Sequence, residues 1–134
     1  MLCEHGYVES EMTSDEKALK RLREILGSNG TTIVESFRAI SPDFANYIVN
    51  FCYGDLYTRQ GLSDKDRELA AVASLISQGK TGLPLRAHID GMLNVGWTKK
   101  EIVELIIFLI GYIGFPSTVE AIKTMHEVFS ARSD

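Results

Sequence analysis

The chain has 134 residues, with 14 Lys+Arg against 18 Asp+Glu, a formal net charge of −4 and 45% hydrophobic content. That length suits one compact core, the apolar and charged fractions exclude wholesale disorder, and the acidic balance argues against a nucleic-acid surface. Two cysteines, Cys3 and Cys52, exclude a disulfide framework and a four-thiolate zinc site, and suit a reducing cytosol.

Residues 1–13 are mostly polar and acidic, without the apolar core of a secretory signal. They read as a flexible N-terminal arm ahead of one domain over 14–134. Thr13-Ser14-Asp15-Glu16 has the form of a capping box, and Leu19, Leu22, Ile25 and Leu26 follow at helical spacing. Gly27 is expected to stop that helix, Ser28-Asn29-Gly30 to turn, and Thr32 to Ile40 to form a short second helix. Ser41-Pro42-Asp43 combines a cap, a proline suited to the first helical turn and an acid near the positive helix end. Phe44, Tyr47, Ile48 and Phe51 are expected to be the buried stripe of that helix, which weakens at Gly54.

Ser63 caps the next predicted helix, with Leu69, Val72, Ala73 and Ile76 inward and Gly79 at its end. Pro84 opens another, carrying Leu85, His88, Ile89 and Met92 and stopping at Gly96. Thr98-Lys99-Lys100-Glu101 is a second capping box, leading into the apolar run from Ile102 to Phe115. That run is shorter than the roughly 20 residues of a bilayer span. It reads as a helix covered by its own chain or by a neighbouring subunit. Gly114-Phe115-Pro116 breaks it, Ser117 to Glu120 is compatible with a cap, and a last helix carries Val119, Ile122, Met125 and Phe129 before residues 131–134 fray. The pattern is that of an all-α, single-domain helical bundle.

Phosphate loops, nucleophile elbows and zinc motifs are absent, and three histidines among scattered carboxylates lack metal-ligand spacing, so no metal is expected. His88 is the foremost titratable candidate: on a helix between apolar neighbours it is either a satisfied core histidine or a general acid–base. Glu68 is the second. It lies early in its helix, next to Leu69 on the buried side, and is a helix-start carboxylate favoured by the dipole, a partner of Arg67 or Lys65 in an ion pair, or a group orienting an imidazole. Arg59, Arg67 and Arg86 flank the two, and guanidinium would hold an acidic substrate bidentately. Tyr53 and Tyr57 belong to the core or line a pocket with a hydroxyl donor. Cys52 reads as a buried thiol. His5 and His126 have no supporting neighbours.

Taken in order, these stretches resemble the carboxymuconolactone decarboxylase family. The resemblance rests on Tyr53-Gly54-Asp55-Leu56-Tyr57-Thr58-Arg59-Gln60-Gly61-Leu62, Arg67-Glu68-Leu69, Leu85-Arg86-Ala87-His88, the span from Gly96 to Glu104, and Tyr112-Ile113-Gly114-Phe115-Pro116. It implies an all-helical subunit in a symmetric homo-oligomer, with a hexamer or trimer favoured. It also implies a cytoplasmic lyase that needs no cofactor and has neither a membrane nor a nucleic-acid partner. The family reaction removes carbon dioxide from 4-carboxymuconolactone, a small lactone carboxylate, in protocatechuate catabolism. On that reading His88 transfers the proton, Glu68 orients it, one of Arg59 and Arg86 holds the retained carboxylate, and Tyr53 or Tyr57 shapes the pocket.

The same superfamily holds alkylhydroperoxidase D-like redox proteins, in which a Cys-x-x-Cys pair precedes the histidine. Here those two places are Thr81 and Pro84, so a peroxidase role would need Cys52 or a partner's thiol. A third reading is a non-catalytic helical oligomer that binds a small ligand. An open, polar-lined cavity holding Glu68 and His88 would argue against it.

Overall fold

A computed structural model describes residues 12–134, and the described residues form helices joined by short connections. Cys3, His5 and most of the expected N-terminal arm lie outside them. Thr13 belongs to the domain: its hydroxyl accepts from Glu16 N, and the Glu16 carboxylate accepts from Thr13 N. That capping box opens helix α1, Ser14–Arg38. The expected stop at Gly27 is present as a break in helical geometry between two helical stretches of α1. Gly27 alone leaves helical geometry, at φ 68°, and the Ser28-Asn29-Gly30 segment continues as helix rather than turning. Buried Leu22, Ile25, Leu26 and Val34 hold both halves against the same neighbours.

Helix α2, Pro42–Asn46, starts with Ser41 Oγ accepting from Phe44 N. It runs into a π-helix over Tyr47–Leu56. Bonding from i to i+5 widens the turn, so the inward series becomes Ala45, Val49 and Tyr53, spaced by four residues. This overturns most of the stripe expected from 3.6-residue periodicity: Phe44, Tyr47 and Phe51 are 55%, 75% and 55% exposed, and of the four only Ile48 packs against the core. Gly54 lies inside the π-helix rather than ending it. A Cβ there would come 3.3 Å from Ala18 Cβ, so the glycine sets how closely this helix approaches α1.

Helices α3, Asp64–Ser77, and α4, Leu83–Asn94, follow, and then α5, Lys99–Ile113, and α6, Phe115–Ala131. The Ser63 cap on α3 and the Thr98–Glu101 capping box on α5 both form as the sequence predicts. All three prolines stand in first turns. Gly114, at φ 81°, joins α5 directly to α6, one turn earlier than the expected cap at Ser117. Thr118 instead donates back to the Gly114 carbonyl. Helix α6 ends at Ala131, and beyond it Arg132 pairs with Asp90 at 3.0 Å and with Asp134.

Helix α4 is the hub. Its Leu85, Ile89 and Met92 enter a core shared with α3, α5 and α6, while Ala87 enters a second core with α1 and the π-helix. His88 lies between these two faces of α4, where α3 and the end of the π-helix meet it. Among the described residues, no helix is long and apolar enough to cross a membrane.

Candidate active site

Glu68 is fully buried. It lies one turn before Val72 on the inward face of α3, so the same periodicity that builds the core carries a carboxylate into it. A carboxylate in such a place must be hydrogen-bonded on both oxygens. Oε2 lies 2.8 Å from His88 Nδ1, and Oε1 accepts from the Tyr57 hydroxyl at 3.2 Å. Three elements thus converge on one carboxyl group: α3 supplies it, α4 supplies the ring, and the residue closing the π-helix supplies the phenol.

The geometry orders the imidazole. With the carboxylate accepting from Nδ1–H, the proton-exchanging nitrogen is Nε2. Nε2 makes no hydrogen bond among the described residues, and no solvent-excluded side-chain nitrogen or oxygen among them lacks a partner. The free end of the ring therefore reaches solvent, and the His88 side chain is 20% exposed.

Tyr57 is held from two sides. Its ring stacks on buried Tyr53, with centroids 4.7 Å apart and planes 15° from parallel. Its carbonyl accepts from Arg21 Nε at 2.9 Å. Arg21 also pairs with Asp64 at 2.6 Å, and Arg67 approaches the same carboxylate at 3.2 Å. The hydrogen bond from Arg21 holds the Asp64 carboxyl below its ordinary range, with Arg67 adding to the effect. Burial pushes the Tyr57 hydroxyl well above the usual phenol range, and the neighbouring Glu68 carboxylate pushes it further. The phenol stays protonated as a donor. Tyr53 is raised for the same leading reason, burial.

The sequence candidates divide. Glu68, His88 and Tyr57 are brought together, with Tyr53 behind Tyr57 rather than on the surface. Arg59 lines a cleft of about 660 Å³ beside Tyr57, together with Lys17, Lys20, Arg21 and Arg67. Its guanidinium has no carboxylate partner among the described residues. Arg86 is elsewhere: it pairs with Glu127 of α6 and borders a separate groove with Asp90 and Arg132. Arg21, which clamps the Tyr57 carbonyl, was missed by sequence reading. It lies 36 residues from Tyr57 and 43 from Asp64, and no local pattern links them.

No group of three or more His, Cys, Asp or Glu among the described residues could hold a metal ion. Cys52, on the π-helix, is half-buried, and burial pushes its thiol up, away from the thiolate that peroxide chemistry requires.

The described residues form an all-helical domain with a buried carboxylate–imidazole pair. Tyr57 lines the cleft that holds Arg59, with Glu24 and Asp64 among the cations, but Glu68 and His88 do not, so it is not the open cavity holding both that would argue against a non-catalytic oligomer. A carboxymuconolactone decarboxylase family model matches residues 42–127, from α2 into α6 and spanning the whole pair. The chain belongs to the carboxymuconolactone decarboxylase family. It is 32% identical over 115 residues to a 4-carboxymuconolactone decarboxylase of Acinetobacter baylyi, covering 85% of each chain. It is 30% identical over 133 residues to nitrosuccinic acid decarboxylase of Metarhizium robertsii, covering 89% of this chain and 91% of that one. Both of these relatives are named for the loss of carbon dioxide from an acid.

Proposed function

We propose that this protein is a cofactor-independent carboxy-lyase that acts on 4-carboxymuconolactone or a related small lactone carboxylate in the breakdown of aromatic compounds. The observation that carries the reading is the buried Glu68 carboxylate bonded to His88 Nδ1, with Nε2 left open. Decarboxylation of such a substrate needs a place for the electron pair of the breaking C–C bond and a proton for the resulting dienolate, at the carbon next to the lactone carbonyl. The substrate supplies the first, because the pair flows through its alkene into the lactone carbonyl to give a dienolate. The protein supplies the second. The His88 imidazolium donates from Nε2 to carbon, and the ring returns to the neutral Nδ1–H form that Glu68 holds. Water then restores the Nε2 proton, so each carbon dioxide released corresponds to one proton taken up.

The names of the two relatives suit this scheme. Each denotes an acid with its own electron acceptor, a lactone in one and a nitro group in the other. Arg59, without a carboxylate partner among the described residues and set in the cleft beside Tyr57, is the residue for the retained carboxylate. Replacing Arg59 by Ala is expected to raise KM for 4-carboxymuconolactone about tenfold with a smaller change in kcat, whereas Arg86→Ala leaves both unchanged. Steady-state kinetics of the two variants checks this. The reverse ranking would move the carboxylate site to Arg86. The sparing use of cysteine suits an enzyme of the cytoplasm.

The subunit is also proposed to work as a homo-oligomer. Ile107, Phe108, Tyr112, Phe115, Val119 and Ile122 make one exposed apolar face on α5 and α6, and Phe44, Tyr47 and Phe51 make another. Two separate faces can join subunits through two kinds of interface, which suits a hexamer of dimers and trimers. Phe108→Glu is expected to lower the particle mass by at least half in light scattering at micromolar concentration. An unchanged mass would remove α5 from the interface.

A further inference from the structure

Gly91 stands in the interior of α4, three residues beyond His88, and is buried. A glycine in a helix interior is less favourable than an alanine. Its φ is not positive, so backbone conformation does not call for glycine here. Space does. A Cβ at position 91 would lie 3.1 Å from both Cδ and Oε1 of Glu68 and 3.4 Å from Oε2, and these are the three atoms nearest to it.

That side chain has nowhere to swing. It is fully buried, with Oε1 held by the Tyr57 hydroxyl and Oε2 held against His88 Nδ1. A methyl group at 91 would push the carboxylate a few tenths of an ångström off both partners, or push α3 away from α4. We propose that Gly91 is a positioning residue of the site: the side chain missing from α4 is the space in which the Glu68 carboxylate lies while it orients His88 on the same helix. This rests on the acid–base role given above to the Glu68–His88 pair. One helix then carries both the ring and the seat for the group that orders it.

The test joins kinetics to a measurement that needs no substrate. Gly91→Ala is expected to lower kcat for 4-carboxymuconolactone about tenfold and Gly91→Val about a hundredfold, with KM little changed. The melting temperature of the alanine variant should not fall in parallel, because alanine favours the helix. The substrate-free readout is the ¹⁵N spectrum of the His88 ring at a pH where it is neutral. Wild type should carry its proton on Nδ1, Glu68→Ala should lose that preference, and the Gly91 variants should lose it in the order Val then Ala. If both Gly91 variants keep the wild-type kcat and the wild-type ring while Glu68→Ala changes the ring, Gly91 has no positioning role and the pair stands. If Glu68→Ala itself leaves the ring unchanged, the pair and the role of Gly91 fall together. Should the valine variant not fold, the alanine variant still decides.

Discussion

Replacing His88 with Ala is expected to cut turnover of 4-carboxymuconolactone by about 10²–10⁴, the range that a positioned general acid contributes. The loss should appear in kcat, because the ring acts on the carbon being protonated and not on the retained carboxylate. The fold should hold at reduced stability, because the buried Glu68 carboxylate loses the partner of one oxygen. The side chain is 20% exposed, and the core around α4 is carried by Leu85, Ile89 and Met92. Circular dichroism of the variant should therefore match wild type, while the rate does not. A variant that folds and turns over normally would mean that His88 is only a packed edge residue.

Glu68→Gln should be nearly as damaging, with an expected loss of about 10²-fold or more in kcat, for a different reason. Gln has the same shape, and its amide can bond both partners, so the site need not collapse. Two things are lost. The negative charge that stabilises the imidazolium is gone. The amide can also turn its NH₂ toward Nδ1, which would put the neutral ring's proton on Nε2, the wrong nitrogen for the return half of the cycle. Tyr57→Phe removes the hydrogen bond to the other oxygen, at 3.2 Å, but leaves the charge and the contact with His88 in place. It should cost less than Glu68→Gln. Kinetics of the two variants under one set of conditions gives the ranking, and an equal or reversed order would mean that the carboxylate does not act through its charge.

The helical architecture was largely readable from local signals. Capping residues at Thr13, Ser41, Ser63 and Thr98 are short-range hydrogen bonds written into four consecutive residues, and each forms as the sequence predicts. What could not be read was decided by tertiary context. Gly27 breaks helical geometry as its turn chemistry suggests, whereas Asn29-Gly30 is helical in spite of it. Along the π-helix the inward residues are Val49 and Tyr53, four apart, so Tyr47 and Phe51 fall on the outside and Tyr53 falls in the core.

The site shows the same division. The periodicity of α3 places Glu68 inward, and a helix that carries His88 among apolar residues makes the ring a candidate. Their pairing across 20 residues of sequence follows from how α3 packs on α4. Family resemblance pointed to these residues without their geometry. It left Tyr53 and Tyr57 equivalent, where the structure gives Tyr57 the hydrogen bond to Glu68 and Tyr53 the place behind it. It likewise left Arg59 and Arg86 equivalent, and the two lie in different grooves.

The most direct measurement is turnover of 4-carboxymuconolactone by the purified protein in D₂O, following carbon dioxide and the isotopic content of the product. Wild type should release carbon dioxide without added cofactor and place one deuterium, per molecule released, on the carbon that receives the proton. His88→Ala should fall toward the spontaneous rate. Carbon dioxide release no faster than in the absence of protein would contradict the proposed substrate and reaction, and undiminished release by His88→Ala would contradict the assignment of the proton donor.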